Sequence, residues 1–143
     1  SVRELASERP GQVRLVIRDF PLEDIHPGAT KASVGARCAQ EQGKLWAYHD
    51  KLFLADQRSF VENDLFDIAR EVGLDMSKFT ECVGSGRAAV TVQADQVAGL
   101  RVGVEGTPTF FFNGIKVQGA PDRTSLNYIV DSFLAKTAST TTP

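Results

Sequence analysis

Apolar and polar residues along the chain change period several times, and each change marks an element. Residues 1–9 (SVRELASER) have helical spacing with Val2 and Leu5 on one side, and Pro10-Gly11 ends the helix. From Gln12 to Phe20 the period drops to two. Val13, Leu15 and Ile17 fall on one face of a predicted strand, Arg14, Val16 and Arg18 on the other, and Pro21 closes it. His26-Pro27 opens a long helical stretch ending at Gly43, whose Ala29, Ala32, Ser33, Gly35, Ala36 and Ala39 suit close packing. Lys44–Ala55 is a second helix, with Leu45, Trp46, His49, Leu52 and Phe53 as its expected inward stripe. A third begins at Glu62 or Asn63, carries Leu65, Phe66, Ile68, Ala69 and Val72, and stops at Gly73. Asp75 caps a fourth, stopped by Gly84-Ser85-Gly86, and Arg87–Leu100 forms a fifth. After Asp122, an expected N-cap, Leu126, Ile129, Val130, Phe133 and Leu134 line the buried side of a closing helix. The polar run Thr137–Pro143 reads as a flexible tail.

Between the fifth helix and the last lies the stretch that organises the chain, Gly103-Val-Glu-Gly-Thr-Pro-Thr-Phe-Phe-Phe-Asn-Gly-Ile-Lys-Val-Gln-Gly119. Thr109–Phe112 has the β-branched and aromatic composition of a strand, and Ile115–Gln118 returns as a second. Asn113-Gly114 between them suits a two-residue type I′ turn, in which both central residues take positive φ. Pro108 stands at the first residue of its strand, where a missing N–H costs least. Three consecutive phenylalanines put rings on both faces, so this strand is expected to be covered on both sides.

A chain of 143 residues forms a single domain with room for a core, and 42% apolar with 24% charged residues is ordinary globular composition. The formal net charge of -2 gives no electrostatic case for nucleic acid, and no run reaches transmembrane length, so neither nucleic acid nor membrane is an expected partner. His26 and His49 are far apart with no carboxylate cluster at ligand spacing, so no metal site is expected, nor any cofactor. Cys38 and Cys82, on separate predicted helices, admit three readings from spacing alone: a redox pair, a structural disulfide, or two buried thiols.

The segment Gly103-Val-x-Gly-Thr-Pro-Thr-Phe-Phe-x-Asn-Gly114 resembles the cis-proline segment of the DsbA-like thiol–disulfide oxidoreductases, a branch of the thioredoxin superfamily. Arg18-Asp19-Phe20-Pro21-Leu22, Cys38 to Trp46 and His49 to Phe53 agree with it, and the likeness runs from about Val13 to Leu134. It implies an α/β class: an incomplete thioredoxin-like fold with a helical insertion, about residues 26–102, between the first strand and the C-terminal β-hairpin plus helix. It also implies a cis bond and a substrate-binding role for Thr107 and Pro108, a polypeptide as substrate or partner, and a structural disulfide between Cys38 and Cys82. A disulfide and the family together imply an extracytoplasmic location, periplasmic or secreted; reduced cysteines would imply the cytoplasm.

The family's chemistry rests on a Cys-x-x-Cys at the head of the helix before the QVRLVIRDF strand. Here the chain starts inside that helix, and no Cys-x-x-Cys occurs in it. Without paired low-pKa thiols, dithiol–disulfide exchange lacks nucleophile and leaving group, so no catalytic residue is assigned. The strand leading to that motif, central in the family fold, is absent too. Three remedies follow: the remaining strands pair directly, a second copy supplies strands as a homodimer through the unpaired edges, or the missing segment lies elsewhere. A dimer or direct pairing is the expectation. Function then divides between a family member silent in disulfide exchange and a non-catalytic module that binds a peptide or subunit at the cis-proline loop and strand edges.

Overall fold

The computed structural model describes residues 1–54 and 62–139. They form α1 (Val2–Glu8), α2 (Ala29–Glu41), α3 (Leu45–Leu54), α4 (Glu62–Glu71), α5 (Met76–Ser85), α6 (Arg87–Arg101), β1 (Thr109–Phe112), β2 (Ile115–Gln118) and α7 (Arg123–Ser139). The chain resolves into two compact units, one of residues 1–17 with 104–143 and one of residues 18–103.

The second unit is built on α2, which packs against α3, α4, α5 and α6. Its small residues allow this. A Cβ at Gly35 would collide with Tyr48 Oη, so glycine there lets the α3 tyrosine lie flat on α2. Tyr48 is wholly buried and donates its hydroxyl to Leu65 O at 3.0 Å; burial pushes its pKa upward. Phe79, also fully buried, tilts against Tyr48 and meets Phe66 edge-on, a packing that supplies about 1.5–3 kcal/mol for the phenylalanine alone. Glycine and capping signals set the helix ends. Asp75 accepts from the Ser77 and Lys78 amides, and Gly86, in the left-handed region at φ 77°, closes α5 and opens α6.

Two expectations for this unit are corrected. The inward stripe of α3 is Tyr48 and Leu52, whereas Phe53 is 65% exposed and Trp46 and His49 are half-buried. The helix is apolar on more than one side, so periodicity alone left its rotation open by a residue. The head of α2 is not capped by its own N-cap side chain, since that residue is Gly28. Instead Glu23 accepts from the amides of Gly28 (2.7 Å) and Thr30 (2.8 Å), and these backbone bonds hold its carboxyl below the usual range.

In the first unit, α1 and α7 pack together around Leu5, Leu126 and Val130, with Val2, Val13, Phe112 and Leu134 against them. Arg9 pairs with Asp131 and Arg123 with Glu8 along the same helices. A capping box of Ser1 and Glu4 starts α1, and Asp122 caps α7 by accepting from the Ser125 amide at 2.7 Å. Helix α7 continues to Ser139, into the stretch expected as tail; residues 140–143 lie outside the described residues.

The sheet is two-stranded and antiparallel, with Thr109 opposite Gln118 and Phe112 opposite Ile115. Asn113 (φ 48°) and Gly114 (φ 90°) both take positive φ, as a type I′ turn demands. The expected strand Gln12–Phe20 does not join this sheet. Its side chains do alternate, with Val13, Leu15 and Ile17 half-buried and Arg14, Val16 and Arg18 exposed. Alternation needs only extended backbone, whereas a strand needs a place in a sheet, and the sheet of the described residues is made of β1 and β2. Direct pairing of the two strand units, one expected remedy, is therefore not adopted. Nor is β1 covered on both sides: Phe111 is 43% exposed.

Candidate functional site

The loop between α6 and β1 is fixed by three local features. Gly103 turns the chain at φ 74°, the Thr109 hydroxyl donates to Gly106 O at 2.6 Å, and the Gly119 amide donates to Pro108 O at 2.9 Å. Between the last two bonds sits the Thr107–Pro108 peptide bond, which is cis. Both residues are exposed, and among the described residues no hydrogen bond engages the main chain of Thr107. The loop thus offers an exposed, rigidly held N–H and C=O beside a proline ring. That combination suits an extended peptide, which takes its affinity from main-chain bonds.

Cys38 of α2 and Cys82 of α5 form a disulfide, with Cα atoms 5.8 Å apart. Their exposures are 0% and 1%, so no thiolate can approach the sulfurs in the folded chain. The structure brings this pair together in the second unit, while Thr107 and Pro108 belong to the first. Of the two histidines, His26 is exposed at a turn, and the His49 ring stacks on Phe53 (centroids 4.5 Å apart) with Nδ1 3.2 Å from Asp50. Among the described residues no cluster of metal-ligating side chains occurs.

A buried charge network escaped the sequence reading. Asp95 of α6 is 4% exposed and binds Arg18 Nη1 and Arg37 Nη2, each at 2.6 Å, and the Asp19 amide at 3.1 Å. Arg37 of α2 also pairs with the Asp19 carboxylate. Burial pushes the Asp19 carboxyl up in spite of that arginine. One signal was present: Asp95 falls with Ala88 and Val92 on the buried side of α6, an acid at a core position. Beside it, a depression lined by Arg37, Gln40, Glu41, Arg87, Ala88 and Thr91 is no anion site, because Glu41 and Glu81 already neutralise Arg87.

Comparison with known proteins agrees with this geometry. The family model described as Thioredoxin matches residues 1–132. A thioredoxin-like oxidoreductase from Silicibacter pomeroyi superposes with a TM-score of 0.80 at 28% identity, covering 94% of this chain and 75% of that one. The thiol-disulfide exchange protein α-DsbA2 from Wolbachia pipientis superposes at 0.79 with 20% identity, over 92% of this chain and 70% of that one, which is a likeness of fold. In sequence, the Na(+)/H(+) antiporter NhaA 1 of Salinispora arenicola is 37% identical over 137 residues, 96% of this chain and 21% of that protein. The antiporter NhaA 3 of Salinispora tropica is 38% identical over 94% of this chain and 20% of that protein. The chain thus spans about a fifth of the length of the curated relatives it matches.

Proposed function

This chain belongs to the thioredoxin family as a DsbA-like member, and on that premise we propose that it engages extended polypeptide at Thr107–Pro108 without itself turning over disulfides. The observation that carries the reading is the exposed cis Thr107–Pro108 loop, whose Thr107 main chain has no partner among the described residues. Its silence in exchange follows from the cysteines: residues 1–143 hold two, and both are spent in one buried disulfide. The lineage's thiol chemistry has no attacking group within this chain. The disulfide supports an oxidising, extracytoplasmic setting.

Insulin reduction by dithiothreitol is the first test. The rate with protein should equal the rate without it; turnover above that background overturns the reading and returns attention to Cys38 and Cys82. Binding is read separately by titrating an unfolded polypeptide and following amide shifts. Movement at Thr107 and Thr109 is expected, and its absence at saturating polypeptide removes the loop from the proposal.

A second reading comes from the antiporter relatives. No helix among the described residues is long and apolar enough to cross a membrane, so the part those transporters share with this chain does not resemble an ion path. In such a setting the domain acts as an appended polypeptide-binding module, beside a membrane-embedded partner.

A further inference from the structure

Helix α6 differs from the other helices of the second unit. Its buried side is Ala88, Val92 and Asp95, yet its solvent side is apolar too: Val90 is 67% exposed, Val97 is 40% exposed, and Ala94 between them is exposed. From Ala88 to Leu100 the one charged residue is the buried Asp95. Helices α2, α3, α4 and α5 expose charges along their length instead, at Lys31, Asp50, Asp64 and Lys78. A helix that is apolar on two sides is one that is covered on both, and loss of charge marks the centre of an interface.

Spacing and charge together indicate what covers it. Val90, Ala94, Val97 and Arg101 recur by four, three and four, the seam of a helix that packs along another helix, and alanine in the middle allows the close approach of two backbones. Seven residues before Ala94, Arg87 is held by two carboxylates, Glu41 and Glu81, so that end of the seam carries one negative charge in excess. Seven residues after Ala94 stands Arg101, exposed, whose guanidinium has no ion pair among the described residues. The face is acidic at one end, basic at the other and apolar between, so it complements a copy of itself turned end for end.

We propose that α6 pairs antiparallel with α6 of a second copy of this chain, about a two-fold axis at Ala94. That axis sets Val90 of each copy beside Val97 of the other, and Arg101 beside the partner's Glu41 and Glu81. A parallel pair would instead set Arg101 against its own mate. A single pair of 15-residue helices, each about 22 Å long, is smaller than the interface of a stable complex. The association is therefore weak and reversible, with a Kd on the order of 100 µM. It uses neither the strand edges nor the Thr107–Pro108 loop, so it stands apart from the polypeptide-binding reading.

Sedimentation equilibrium of chain 1–143, over about 5 to 500 µM, tests it. The average mass should rise with concentration from one chain toward two, with or without reductant. Ala94→Glu sets two carboxylates face to face at the axis and should weaken association by about tenfold or more, whereas Ala94→Ser keeps the seam narrow and should retain it. Arg101→Glu should weaken it by about tenfold as well, and adding Glu81→Lys should restore most of that loss, because the two reversed ends attract again. All three positions are exposed, and a matching far-UV circular dichroism spectrum shows that each variant is folded. The mass of one chain across the whole range overturns the proposal and leaves the face to a different partner. A dimer indifferent to Ala94→Glu or to Arg101→Glu overturns it too, since its contact then lies elsewhere.

Discussion

Asp95 holds together residues that are far apart in sequence. Its carboxylate joins Arg18, the Asp19 amide and Arg37, 77, 76 and 58 positions away. Removing one member of a buried pair leaves the other charge uncompensated, which costs more than the pair contributes. Asp95→Ala should therefore lower unfolding free energy by about 3 kcal/mol, read as a fall in urea midpoint at constant slope. Arg18→Ala should cost less than about 1 kcal/mol, because that side chain is largely exposed. Equal losses from the two substitutions would mean that burial of Asp95 contributes nothing special. Asp19 carries the opposite sign to an ordinary ion-paired acid. Its folded pKa is raised by burial, so its charged form is a cost to the fold that is relieved, not incurred, as pH falls through that value. The helical spacing of Ala88, Val92 and Asp95 hinted at a core acid, but its partners were illegible because nothing local ties positions 18, 37 and 95 together.

At the scale of elements, legibility followed how local each signal is. The hairpin, the Asp75 and Asp122 caps and the glycine stops rest on residues within a turn of one another, and each stands where the pattern put it. The head of α2 depends on Glu23, five and seven residues ahead of the amides it receives, and that reach has no fixed spacing to recognise. Glu23→Gln should cost about 1 kcal/mol at neutral pH, the worth of a cap. The Glu23 pKa is lowered in the folded chain, so its contribution is full above the ordinary glutamate value of 4.5 and is lost as pH falls through the folded value. Thermal melts of parent and variant should accordingly converge in acid; a gap that persists there would mean the glutamate works by packing instead. The α3 stripe differs from the expected one because Trp46, His49 and Phe53 form a row of rings, Trp46 edge-on to His49 and His49 stacked on Phe53, whose Phe53 end faces water.

For the molecule as a whole, the disulfide matters more as a tie than as a reagent. Closing a loop across 44 positions stabilises by about 4 kcal/mol on the chain-entropy account, so a Cys38→Ala, Cys82→Ala double variant should lose about that much in urea unfolding. With both sulfurs buried, dithiothreitol should reduce the native chain only as fast as it unfolds. Rapid reduction under native conditions would show an exposed, exchange-competent bond. Light scattering with and without reductant should give one mass, since neither cysteine is left to link chains.

The sequence by itself determined what depends on neighbouring residues: helix and hairpin positions, the I′ turn, the faces of residues 13–18, and, through family likeness, the Thr107–Pro108 loop and the pairing of Cys38 with Cys82. Tertiary structure decided what depends on distant ones. Only packing could place Asp95 between two arginines, rotate α3 so that Tyr48 fills the space left by Gly35, and leave Val13–Ile17 outside the two-stranded sheet. The physical reason is common to all three. Backbone preference and side-chain period are set within a few residues, whereas burial, ion pairing and sheet formation need a second surface that no local pattern names.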